Sequence, residues 1–372
     1  MKRLIAAMAA LTIIIPGTDT ADAAIIAKPM TQIAQVDRAA SGIVLSGNQI
    51  LVFGNREKNG FAQLVSGLAL ELSCGVESFV SAATTDIEGN FYLVGAASNQ
   101  IVGTLPPISG VLNPDNVQSD PVSSNKSDAS MLCMWKFDTT GKLIENSNMQ
   151  LETAVIPTSI MVDKFGITIA GASYSNPGFN SFLLNWNEKP TFIGKNSTQI
   201  LSISRANDGS VVAVGQSREK LLDKVLRGKA DGFLAKVKNG KLVAVQRSSD
   251  LNASRAWRSS TSNLLLGGNS NSTAVITKFA SNFSPTWTDR YPSNGSASTA
   301  NVGNLNYGAF YSTGAIRALP SWKRKGAIIL LTFDSNGKIT AASYSTASKL
   351  NGLAANSTLG PVILASGFIY RA

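Results

Sequence analysis

A short apolar run that stops at a small residue, usually glycine, recurs along the chain. It reads QILVFG over Gln49–Gly54, FYLVG over Phe91–Gly95, ITIAG over Ile167–Gly171 and VVAVG over Val211–Gly215. Further copies are LLLG at Leu264–Gly267, AFYSTG at Ala309–Gly314 and PVILASG at Pro361–Gly367, which makes seven. Each clear copy follows a turn signal, as in Gly47-Asn48, Asp86–Gly89, Asp163–Gly166 and Asn207–Gly209. Asn, Asp and Gly supply the positive φ angles that tight hairpins require. Another strand-like run precedes the turn, and a loop of variable length followed by a third run comes after the glycine. Third runs include Ser130–Phe137, Ser181–Trp186, Gly232–Val237 and Ala327–Phe333. Hairpin turns at Asp138–Lys142, Lys238–Lys241 and Asp334–Lys338 then lead into a fourth run such as Leu242–Gln246.

Four strands per unit, with a unit length of roughly 50 residues, predict the blade of a β-propeller. Helical periodicity is nearly absent; the one candidate, Arg218 to Gly228, falls inside a loop. The fold class expected is all-β, a propeller of seven four-stranded blades. Six repeats look complete, and the last, from about Ser348, has room for two strands. The segment Ala24–Gln35 has strand character without the glycine signature, so it is expected to share the closing blade and leave no open edge. The alternatives are six blades plus a C-terminal hairpin and, further off, an open solenoid.

Composition supports short strands and many turns: only 15% of residues are charged, and Ser, Thr, Asn and Gly take their place. Residues 1–23 read as an export signal. Lys2 and Arg3 precede the apolar stretch Leu4–Ile15, Pro16-Gly17 breaks it, and Ala21-Asp22-Ala23 gives a small-x-small cleavage pattern. The stretch is shorter than the roughly 20 residues a membrane span needs. The expected mature protein is a single propeller domain over 24–372, extracytoplasmic, secreted or at the cell surface, with no transmembrane segment. In that setting Cys74 and Cys133 could form a disulfide; the alternative is two small buried apolar residues.

One repeat carries a resemblance. Val211–Gly215 with its turn, then Asp231-Gly-Phe-Leu-Ala-Lys-Val237 followed by Asn239-Gly-Lys-Leu242, resembles the exported bacterial β-propeller repeat known as the SBBP-type repeat. The likeness extends over the chain from residue 24 and is close only in the fourth repeat. It implies a propeller fold and an extracytoplasmic location, and no defined reaction.

The chain has no histidine, which removes the commonest general base and metal ligand. A carboxylate-dependent glycan enzyme stays open as an alternative, since two acids at the right separation suffice. Here, however, Asp86, Glu88, Asp138, Asp163, Asp208 and Asp334 fall at turns, where such residues ordinarily cap hairpins. Weak calcium candidates at Asp86-Ile-Glu88 and Asn207-Asp208 lack a dense ligand loop. No metal and no cofactor are expected.

The formal net charge is +10, and part of it gathers in two long loops between second and third strands. The fourth repeat's loop holds Arg218, Lys220, Lys224, Arg227 and Lys229; the sixth repeat's holds Arg317, Trp322, Lys323, Arg324 and Lys325. Both should emerge on one face, forming a cationic rim with Trp322 available to stack on a ligand. The reading that follows is a non-catalytic binding propeller. Its partner would be an anionic polysaccharide, a cell-envelope polymer or another exported protein, and nucleic acid is not expected. The competing reading is a purely structural surface module whose loops are only solvated.

Overall fold

The computed structural model describes residues 24–98, 129–175, 178–323 and 326–372. Among these, four sheets have four strands, one has eight and one has five. The eight-stranded sheet divides at the single parallel pair of Asn59 with Ser78, and the fifth strand of the other is the short parallel Lys28–Pro29, so the strands group into seven antiparallel sets of four. Unit one comprises Ala40–Ser46, Gln49–Arg56, Asn59–Leu64 and Ala69–Leu72. Unit two comprises Ser78–Thr85, Phe91–Ala97, Met131–Phe137 and Leu143–Gln150, and unit three Ala154–Asp163, Gly166–Ser175, Gly178–Asn185 and Thr191–Ile193. Unit four comprises Thr198–Arg205, Val211–Ser217, Asp231–Lys238 and Lys241–Ser248, and unit five Arg255–Ser260, Leu265–Ser270, Thr273–Phe279 and Pro285–Pro292. Unit six comprises Ser298–Val302, Leu305–Ser312, Ala327–Phe333 and Ile339–Ser345. Unit seven takes Leu350–Asn356, Gly360–Ala365 and Phe368–Arg371 from the C-terminus and its outer strand, Thr31–Gln35, from the other end of the chain.

First strands pack on first strands in succession, and that of unit seven packs on that of unit one, so the series closes into a ring. The apolar core is divided accordingly. Val44, Phe53, Phe91 and Trp135 join units one and two. Val212, Leu234, Trp257 and Val275 join units four and five, and Val52, Phe61, Leu364 and Ile369 join units seven and one. Because each cluster draws on two sheets, no unit buries its apolar face alone; each depends on its neighbours. This is the architecture of a β-propeller.

The repeated glycine has a specific steric cause. The first strand of units one to five carries a bulge, and there a carbonyl leans over the partner strand. A Cβ on Gly54, Gly95, Gly171, Gly215 or Gly268 would collide with that carbonyl oxygen, belonging to Ala39, Phe79, Ile156, Gln199 or Ala256. Unit six has no such bulge, and Phe310 stands at the corresponding place, stacked on Tyr291 with ring centroids 4.6 Å apart. Three runs therefore end differently from the expectation, and in the fifth the glycine at the bulge is Gly268, one residue beyond the Gly267 at which the run was read to end. The sixth strand ends at Ser312, and Gly367 lies beyond the seventh strand, in a turn with Ser366 where both residues have positive φ. That tight turn leaves room for three strands after residue 350, not two.

Small polar residues also stitch neighbouring units near their first strands. Asn55 donates to the Val80 carbonyl at 2.9 Å and accepts from its N–H at 2.8 Å. Ser181 links to Thr198 and Ile200, Ser202 meets Ser260, Ser259 meets Thr299, and Asn351 donates to the Ala40 carbonyl. The abundance of Ser, Thr and Asn is thus structural as well as a matter of turns.

Cys74, in the connector from unit one to unit two, is disulfide-bonded to Cys133 in the third strand of unit two, with 6.2 Å between Cα atoms. The same connector is held by the Ser73 carbonyl, which accepts from Trp135 Nε1 at 3.2 Å and from Asn146 at 2.8 Å. A closed loop of 59 residues corresponds to about 2–4 kcal/mol of stabilisation through the unfolded chain. The Cys74→Ala/Cys133→Ala variant should lose that much in equilibrium urea unfolding. An unchanged midpoint would show that the hydrogen bonds at Ser73 hold the connector without the covalent link.

Candidate functional site

The loops from second to third strands emerge at one end of the ring, together with the connectors between units. Unit four's loop, residues 218–230, is built on a buried ion pair. Asp231 opens the third strand with 0% of its surface exposed, and Arg247 Nε donates to its Oδ2 at 3.0 Å. The backbone N–H groups of Arg227 and Gly228 donate to the same carboxylate at 3.0 and 2.9 Å. Arg247 then spends its remaining donors on carbonyls under the loop, Glu219 at 2.6 Å and Ser217 at 2.9 Å. Burial pushes the Asp231 carboxyl up, but the N–H groups of Gly228 and Arg227 and the side chains of Ser249 and Arg247 outweigh it. They hold the group below the ordinary carboxylate range.

Glu219 is turned inward as well. Its carboxylate accepts from the backbone N–H groups of Lys195, Asn196 and Ser197, at 2.9 to 3.3 Å, and from the Thr198 hydroxyl at 2.7 Å. Burial again raises this carboxyl and these bonds more than reverse it. Of the loop's three acids, only Asp223 is fully exposed, and Lys224 contacts it at 3.1 Å. Arg218, Lys220, Lys224, Arg227 and Lys229 all face solvent. The five bases expected from sequence are therefore brought together on one loop whose acidic complement is largely consumed beneath it.

The unit six loop leaves at the same end of the ring, beyond unit five, whose own turn there is short. Arg317 and Lys323 are exposed, while Arg324 and Lys325 lie outside the described residues. Trp322 corrects the expectation of a stacking platform. It is 4% exposed, its ring lies 5.4 Å from that of Tyr344, and its Nε1 donates to Ser312 Oγ at 3.3 Å. Successive turns, in which Leu319 N donates to the Ile316 carbonyl and Trp322 N to that of Leu319, fold Ile316, Leu319 and Trp322 into the core between units five and six. The aromatic ring is committed to packing, so it is not available to a ligand.

Sequence reasoning passed over one cation at this end. Arg255, first residue of unit five, lies buried over the Trp257 ring at 4.5 Å, and its Nε has no hydrogen-bond partner. Burial and the neighbouring Arg290, partly offset by Asp250, push its guanidinium down to about 10. Nothing in the residue's surroundings in sequence announces this; it follows from strand alternation at a junction between units.

The opposite end of the ring is made by hairpins. Asp86, Asp138, Asp163, Asp208 and Asp334 each accept backbone N–H bonds within their own turns. A cavity of about 730 Å³ there is lined by Asp86, Glu88, Asp163, Lys136, Tyr92 and Arg205 among others. Its acids are engaged: Asp86 with Asn90, and Asp163 with Arg205 at 2.7 Å. The seven first strands, which face the ring's centre, contain a single carboxylate, that same Asp163. Among the described residues no three His, Cys, Asp or Glu side chains converge as a metal site.

No family model matches the chain, and no curated protein does. Among solved structures, the chain is similar over its whole length to a β-propeller chain from a crystal structure of the mitotic checkpoint complex. The match covers 100% of this chain and 99% of that one, with a TM-score of 0.53 and 11% identity. At that identity the likeness shows the fold alone. Two weaker likenesses add nothing to it. One is to a Bacteroides caccae protein of unknown function, at TM-score 0.40, 9% identity and 85% coverage of each chain. The other is to a prolyl endopeptidase, at TM-score 0.46 and 13% identity, covering 88% of this chain and 45% of that one.

Proposed function

We propose that this chain is an exported, non-catalytic β-propeller that takes an anionic partner on the end of the ring bearing residues 218–230. One observation carries the reading. Five exposed bases share a loop whose acids Glu219 and Asp231 are spent on holding its shape. A preformed cationic surface attracts anions at long range and loses little order on binding. The lone carboxylate among the first strands argues against glycan hydrolysis by a facing pair of acids. Export belongs to this proposal and rests on the pattern of residues 1–23, with the SBBP-type resemblance of the fourth repeat in support.

The test is retention on heparin and on an array of acidic glycans at low and physiological salt. The chain is expected to bind in a salt-sensitive way. A variant carrying Arg218→Gln, Lys220→Gln and Lys224→Gln should elute at clearly lower salt. Equal elution of the two proteins would remove the loop from consideration and leave a structural module as the better reading.

A further inference from the structure

The same loop carries aliphatic side chains that its charge does not explain. Leu222 is 48% exposed, Val225 56% and Leu226 36%, and Leu251 in the adjoining connector is 76% exposed. The connector belongs to the same surface: Lys229 N donates to the Ala253 carbonyl at 2.8 Å, and Gly228 packs against the Asp250 and Ala253 carbonyls. Leu222 sits at the corner of a tight turn in which Leu221 and Lys224 exchange backbone hydrogen bonds at 3.1 and 3.0 Å. Its φ is +52°, a left-handed conformation that glycine or asparagine adopts at much lower cost than leucine. A strained leucine aimed into water is a cost to the free protein, and the core gains nothing from it.

Aliphatic tips ringed by lysine and arginine match an anionic bilayer surface. The bases meet phosphate headgroups while the leucines and valine enter the boundary between headgroups and acyl chains. A soluble polyanion satisfies the bases and leaves the aliphatic residues in water. The loop is also held from beneath by Arg247 and Asp231, so it would enter the interface as a preshaped wedge. We infer that residues 218–230, with Leu251 beside them, dock this protein peripherally on an anionic lipid surface. This deepens the reading of the cationic end and depends on it.

The experiment is co-sedimentation of the full chain with phosphatidylcholine vesicles containing about one third phosphatidylglycerol, and with pure phosphatidylcholine vesicles, at physiological salt, alongside heparin retention. Binding to the anionic vesicles alone is expected. The Leu222→Asn/Val225→Ser variant, which removes aliphatic surface without changing charge, should bind them at least about tenfold more weakly and keep its heparin elution within a small margin. Lys220→Gln/Lys224→Gln should weaken both. Strong heparin retention without vesicle binding would overturn the lipid inference and spare the reading of a polyanion surface, as would vesicle binding that Leu222→Asn/Val225→Ser leaves unchanged. Failure on both vesicles and heparin would overturn both. Circular dichroism melts of each variant confirm that the exposed substitutions leave the fold intact.

Discussion

Replacing Arg247 with Met is expected to destabilise the protein by about 3–5 kcal/mol at neutral pH, because it strands a carboxylate that no water reaches. Asp231 would keep its N–H bonds from Arg227 and Gly228 and its bond with the Ser249 side chain but lose its counter-charge, and the Ser217 and Glu219 carbonyls would lose a donor each. The pH dependence identifies the cause. Asp231 titrates below its ordinary range in the folded protein, so its pairing stabilises the fold above the unfolded value, about 4, and that contribution fades as pH falls through the lower folded value. The gap in urea midpoint between parent and variant should therefore narrow on acidification below about pH 4. Adding Asp231→Asn to Arg247→Met should recover part of the loss, since two neutral groups bury more cheaply than one orphaned charge. A gap that stays constant from neutral to acid pH would mean that the methionine disrupts packing and that the charge is incidental.

A chain beginning at Asp37 should melt on the order of 10 °C lower than one beginning at Ala24, or aggregate, because residues 24–36 clasp two units. Lys28 and Pro29 pair in parallel with Ser343 and Tyr344 on the edge of unit six, and Thr31–Gln35 then pair antiparallel with Phe368–Arg371 in unit seven. Between them Met30 is buried against Tyr307, Ile328 and Ile363. Truncation would uncover the edge at Phe368–Arg371, which is an invitation to intermolecular pairing. A synthetic peptide of residues 24–36, added in trans, should restore the melting temperature by supplying the missing strand. Identical melts for the two chains would show that unit seven closes the ring with three strands.

The repeat, its glycines and the hairpin turns were legible in the sequence because they obey local rules: period-two alternation, positive φ, a bulge that tolerates no Cβ. The sixth and seventh strands were misread at their ends because Gly314 and Gly367 imitate the marker while standing outside the bulge position. Trp322 was misjudged for a related reason. Next to Lys323, Arg324 and Lys325 it looks like part of a solvated loop, yet Ile316, Leu319 and Trp322 recur every third residue, the spacing of consecutive turns that bury one side. The basic residues of the fourth loop could be read from their types alone. What could not be read was that Glu219 and Asp231 turn inward, since their partners Lys195–Thr198 and Arg247 come from other strands and loops. Nor did Leu222, Val225 and Leu226 stand out. An apolar residue in a loop reads as core until its exposure is seen.

The shared closing unit also dictates an order of assembly. Units one to six each draw four strands from one continuous stretch and can form as soon as that stretch is available. Unit seven cannot, because Thr31 and Arg371 are partners separated by roughly 340 residues. Joining ends so far apart costs about 3 kcal/mol more chain entropy than closing a ten-residue hairpin, a small sum once the intervening units have already drawn the ends together. The ring therefore completes itself last and cheaply, and until it does, the first and seventh units present their apolar faces to whatever is nearby.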